Sequence, residues 1–124
     1  MKRKIRTVTV GQQRFAWQCQ FAGNAIVLTL SPLDDRTAAV HVRFADDRLT
    51  AVPEAALGSY PSVLTAEKDG QPHEWKVISP RMAALLADCL TGRFLSRQTA
   101  ECDGFALLRD AGCRITTIKY GWYW

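Results

Sequence analysis

Phe15-Ala16-Trp17-Gln18-Cys19-Gln20-Phe21 places a large apolar or thiol side chain at every second position, with small or polar residues between. Side chains on a strand point to opposite faces with period two, so this stretch predicts a strand with one apolar face and one polar face. The alternation recurs in Ala38-Val40-Val42-Phe44, interleaved with Ala39, His41 and Arg43, and in Ile118-Tyr120-Trp122-Trp124. Three such stretches in 124 residues predict an antiparallel sheet packed on one side.

Outward from that strand the punctuation is regular. Residues 4–10 are rich in β-branched side chains and predict a first strand, turned by Gly11-Gln12-Gln13 into the second over 14–21. Gly23-Asn24 turns the chain again into a third strand over 25–30. Ser31-Pro32-Leu33-Asp34-Asp35 reads as a loop, and Thr37–Phe44 as a fourth strand. The pattern then weakens: Leu49–Val52 reads as a short strand and 53–61 as irregular. Ser62–Ala66 and Trp75–Ile78 read as extended, on either side of a loop at 68–72.

Helix signals follow. Ser79 fits an N-cap and Pro80 the first helical position, where a missing N–H costs nothing. Met82, Leu85, Leu86, Cys89 and Leu90 then share one helical face, and Gly92 fits the C′ place. Ala83, Ala84 and Ala87 leave the opposite face small, so this helix is covered on several sides or packs on another subunit. A second helix lies between Ser96 and Ala111, capped by Asp103 in a short version or by Ser96 in a longer one interrupted at Gly104. Cys113–Trp124 reads as a terminal strand. The expected fold is α+β, an antiparallel β-meander of about five to six strands with two helices packed on one face. A single domain over 1–124 is expected, with residues 1–6 as a basic N-terminal arm.

Charge narrows the functional classes. The net charge is +4, with 16 basic and 12 acidic residues; Lys2, Arg3, Lys4 and Arg6 account for four of the basic ones, leaving 12 against 12. The excess belongs to the arm, whereas a groove that tracks phosphates spreads basic residues over a face. Nucleic-acid contact through Lys2, Arg3, Lys4 and Arg6 is therefore the secondary reading. No apolar stretch is long enough for a signal sequence or a membrane span, so a cytoplasmic protein with no membrane contact is expected. Cys19, Cys89, Cys102 and Cys113 lack metal-ligand spacing and read as small buried thiols of a reducing compartment. Arg outnumbers Lys and Ala is plentiful, the composition of a bacterial genome rich in G and C.

Catalytic chemistry finds no constellation. His41 points to the polar side of its strand, and His73 beside Glu74 sits in a loop with no third metal ligand. Cys102 and Cys113 have no nucleophile motif around them, and Gly11, Gly23, Gly58 and Gly70 are isolated turn glycines rather than a phosphate loop. The adjacent pairs Asp34-Asp35 and Asp46-Asp47 fit turns rather than a converging acid–base couple. The chain predicts no catalytic residue, metal or cofactor; a small ligand-binding domain or enzyme with a cavity between sheet and helices is the third reading. The leading expectation comes from the aromatic residues. Gly121-Trp122-Tyr123-Trp124 directs rings to both faces of one strand, which calls for cover on both sides. Arg43, Tyr120, Trp122 and Trp124 are accordingly the residues expected to touch a protein partner or a second copy of the chain.

Overall fold

The computed structural model describes residues 6–47, Leu49 and residues 62–120. Within them the chain forms β1 (Arg6–Val10), β2 (Gln13–Ala22), β3 (Ala25–Pro32) and β4 (Ala39–Ala45). It continues through β5 (Ser62–Lys68), β6 (Gln71–Lys76), helix α1 (Pro80–Cys89), β7 (Thr99–Asp103), helix α2 (Gly104–Asp110) and β8 (Arg114–Tyr120). The class is α+β with a meander-like antiparallel sheet, with eight strands described against the five or six expected. Lys4 and Ile5, residues 50–61 and the end of the terminal strand after Tyr120 lie outside the described residues.

The opening alternation does what its period dictates. In the large sheet, ordered β1-β2-β3-β4-β7, Trp17 faces Leu30, which faces Val40; Cys19, Leu28, Val42 and Cys102 make the next row, and Phe21, Ile26 and Phe44 the one after. These rows point one way, and Ile26, Leu28, Leu30, Val42 and Phe44 are fully buried. β3 is also covered on its other side, where Ala25, Val27 and Ser31 are buried. That explains its near-continuous apolar run: a central strand has little face left for water.

Helices α1 and α2 fill the inner face. Ser79 caps α1, its hydroxyl accepting from Met82 N–H at 3.1 Å, with Pro80 in the first turn. Leu90 is the C-cap, so Gly92, with φ of +84°, stands one place beyond the C′ position read for it. α1 lies on β1 and β3 and reaches β6, which is why Ala83 and Ala87 are buried along with Met82 and Leu86. This helix is thus covered on several sides within the chain. α2 touches β4 and β7 and reaches β8. Its first residue is Gly104, where a Cβ would sit 2.6 Å from the Phe44 ring, so only glycine lets helix and sheet approach this closely.

Two whole segments differ from their sequence reading, and β3 also runs on through Ser31 and Pro32, which read as loop. The longer helix from Ser96 does not form: Thr99–Asp103 is a strand, parallel to β4, and Asp103 caps the short helix by accepting from Phe105 N–H at 2.9 Å. The Ser96 hydroxyl donates instead to the Asp35 carboxylate, away from any helix. The stretch 68–72 is a hairpin rather than a loop. Asp69 and Gly70, with φ of 56° and 74°, make a two-residue turn, and Pro72 is tolerated because β6 is the edge of the small sheet β6-β5-β8. Leu64, Ala66, Trp75 and Ile118 of this sheet join the same buried cluster as the large one.

Candidate functional site

Antiparallel connections bring three segments to one end of the large sheet: the β1–β2 turn, the β3–β4 loop and the chain from α1 into β7. Asp35 ties two of them together. Its Oδ1 accepts from Thr37 N–H at 3.2 Å and from the Thr37 hydroxyl at 2.5 Å, and the Thr37 oxygen accepts from Arg97 N–H at 2.9 Å. The Thr37 hydroxyl above all, then the Ser96 hydroxyl and the nearby Arg97 charge, hold the Asp35 carboxyl below its ordinary value. Arg97 is fixed with φ of 61°, a left-handed conformation rare for a non-glycine residue and one that clusters at functional sites.

The segment held this way is Arg93-Phe94-Leu95-Ser96-Arg97. Phe94 packs on Phe15, ring centroids 5.1 Å apart, and anchors it to the core. Leu95 points outward and is 54% exposed, the one large apolar side chain so exposed among the described residues. Arg14 and Arg36 lie on the neighbouring segments, Arg36 donating to the Ser31 hydroxyl at 3.1 Å. Among the described residues none of Arg14, Arg36, Arg93 and Arg97 is in an ion pair. A hollow of about 400 Å³ lined by Gln12, Gln13, Arg14, Leu33 and Asp34 opens at the same end. The arrangement is an apolar knob on a fixed loop, with the guanidiniums of Arg14, Arg36, Arg93 and Arg97 and the carboxylates of Asp34 and Asp35 at the same end.

The opposite end of β7 leads into an open groove of about 660 Å³ between α2 and β8. Phe105, Cys113 and Ile115 give it apolar walls, and Asp103, Arg109 and Arg114 supply charge. Phe105 is held edge-on against Phe44, 5.2 Å between centroids. Arg114 is already paired with Glu67 in solvent, and Asp103 is occupied as a helix cap.

The residues named from sequence are scattered. Arg43 is half-buried on the outer face of β4, beside Asp103 in the parallel register, whereas Tyr120 ends β8 opposite Ser62 in the other sheet. Trp122 and Trp124 lie outside the described residues, as do Lys2, Arg3 and Lys4. Arg6 is not a free arm residue: its guanidinium lies over the Trp17 ring, 5.1 Å from the centroid. His41 Nδ1 is 2.6 Å from the Thr29 hydroxyl, and the His73 ring stacks on Trp75 at 5.3 Å. The four cysteines are unpaired. Burial pushes the Cys19 thiol up to about 11 and also raises Cys89 and Cys102, which keeps these thiols protonated rather than nucleophilic.

Among the described residues no His, Cys, Asp and Glu group could hold a metal ion, and no helix is long and apolar enough to cross a membrane. Buried side chains of both sheets and both helices form one cluster, and the groove and the hollow open on the surface. Sequence reasoning missed Leu95 and Arg97 because nothing periodic marks them. The available signal was Asp35 two residues before Thr37, a spacing that favours a side-chain turn. No family model, curated protein or solved structure matches the chain.

Proposed function

We propose that the protein is a cytosolic binding module for another protein and that the three-segment end of the large sheet is its contact surface. The observation that carries this reading is Leu95, exposed on a loop whose backbone is fixed from Asp35 through Thr37 to Arg97. A pre-ordered apolar anchor loses little entropy on binding, and it contributes most when it enters a well-packed, desolvated pocket of the partner. The surrounding guanidiniums select a partner with acidic residues around an apolar recess. Unpaired cysteines support a reducing compartment. Arg43 lies at the opposite end of β4 from this surface. Arg43, Tyr120, Trp122 and Trp124 are therefore proposed as contacts separate from it, and self-association is the case in which the partner is a second copy.

The test is capture of partners by tagged chain, followed by affinity measurement with the partner so identified. Leu95→Ser is expected to weaken binding about thirtyfold, the effect of losing a hot-spot side chain. Raising salt is expected to slow association. Unchanged affinity and unchanged oligomeric state in Leu95→Ser would overturn the assignment of the site.

A further inference from the structure

β7 ends the large sheet on one side, and among the described residues nothing pairs with its far edge. The ladder identifies the groups left over. Ala39 N–H donates to the Gln98 carbonyl at 3.2 Å, so the backbone of Gln98 faces β4. Backbone groups alternate sides along a strand, so Ala100 and Cys102 also face β4, while Thr99, Glu101 and Asp103 turn theirs outward. Thr99, Ala100, Glu101 and Asp103 are all exposed, so water reaches this edge. Its guards are few: it is short and carries the charges of Glu101 and Asp103. β6, one outer strand of the small sheet, has Pro72 and Lys76, whereas β7 has neither proline, lysine nor bulge.

We propose that β7 accepts an extended segment of a protein partner as a sixth strand of the large sheet. The residues of β7 set the chemistry of that segment. On the outer face stands Glu101, with no ion-pair partner among the described residues, so the incoming residue beside it is Lys or Arg. On the inner face Ala100 is exposed and Cys102 half-buried at the margin of the apolar rows, so the alternate incoming residues are apolar. A second copy of β7 is disfavoured. Antiparallel pairing of the outward groups sets Glu101 against itself or against Asp103, and the register that avoids both leaves Asp103 unpaired.

This inference rests on the reading of the chain as a protein-binding module but not on Leu95, so each can fail alone. The test uses the full chain, isotope-labelled, and two capped heptapeptides, one alternating Val with Lys and one alternating Val with Glu. The Lys peptide is expected to slow amide exchange at Thr99 and Glu101 about tenfold, with the Glu peptide inert. Glu101→Pro removes an outward donor while leaving the β4 ladder intact, and is expected to abolish the slowing with exchange in β3 unchanged. Glu101→Lys keeps the donor and is expected to reverse the peptide preference. No slowing by the Lys peptide, equal slowing by both peptides, or an unchanged preference in Glu101→Lys would overturn the proposal. Slowing at β7 together with an inert Leu95→Ser would retire the loop and keep the edge.

Discussion

The large and small sheets are made by one chain in opposite ways. β1 to β4 follow one another as hairpins, each strand pairing with the next, so the order in space is the order in sequence. The small sheet joins the β5–β6 hairpin to β8, which comes from the far side of both helices. Yet the two contribute to one buried cluster, in which Leu64 of β5 and Phe44 of β4 are equally inaccessible to water. Local construction and shared burial are therefore separate properties, and a sheet assembled from distant pieces can be as firmly held as a meander.

Mutation can break that equivalence. Phe44→Ala removes the ring that bridges the large sheet and α2, and is expected to cost about 4 kcal/mol in denaturant unfolding. Leu64→Ala in the small sheet is expected to cost about 3 kcal/mol. In both variants the amides of β3 and β5 should lose protection together; separate transitions would show two units rather than one. Gly104→Ala tests the joint between helix and sheet. Its Cβ would meet a buried ring, and a loss of about 2 kcal/mol is expected, relieved when Phe44 is also shortened to Leu.

Smaller effects sharpen the comparison. Ser79→Ala should cost about 1 kcal/mol by uncapping α1, the helix shared by both sheets. Asp35→Asn probes the latch of the large sheet alone. The folded-state pKa of Asp35 is depressed, so its contribution is fully present above the unfolded value of about 4 and is lost as pH falls through the folded one. The melting-temperature gap between wild type and Asp35→Asn should therefore close on acidification, and a gap that persists in acid would refute the latch. Glu67→Ala removes the exposed pair with Arg114 in the small sheet and should change stability by less than about 0.5 kcal/mol.

What was legible in the sequence follows the same division. The meander was readable because Phe15 to Phe21 and Val40 to Phe44 carry their own period, and Ser79-Pro80 announces a helix without help from elsewhere. β7 was not readable, because Thr99-Ala100-Glu101-Cys102 becomes a strand only by lying beside β4. Asp69-Gly70 was a readable hairpin signal that the adjacent Pro72 obscured. Of the proposed binding surface, the sequence offered the residue types but not their meeting. Asp35, Thr37, Ser96 and Arg97 converge across the fold, and Leu95 stands exposed because Phe94 takes the buried place beside it.

The parallel pairing of β4 with β7 has a consequence during synthesis. Ala39 and Thr99, partners in that ladder, are sixty residues apart in the chain. A ribosome adding residues at about 5–20 per second leaves an interval on the order of several seconds between them. Throughout that interval the nascent meander can zip up hairpin by hairpin, but the free edge of β4 has no partner yet made. Slowing translation after Ala45 should lengthen the exposure of the backbone groups of Ala39, His41 and Arg43, and lower the yield of folded chain unless a chaperone covers that edge.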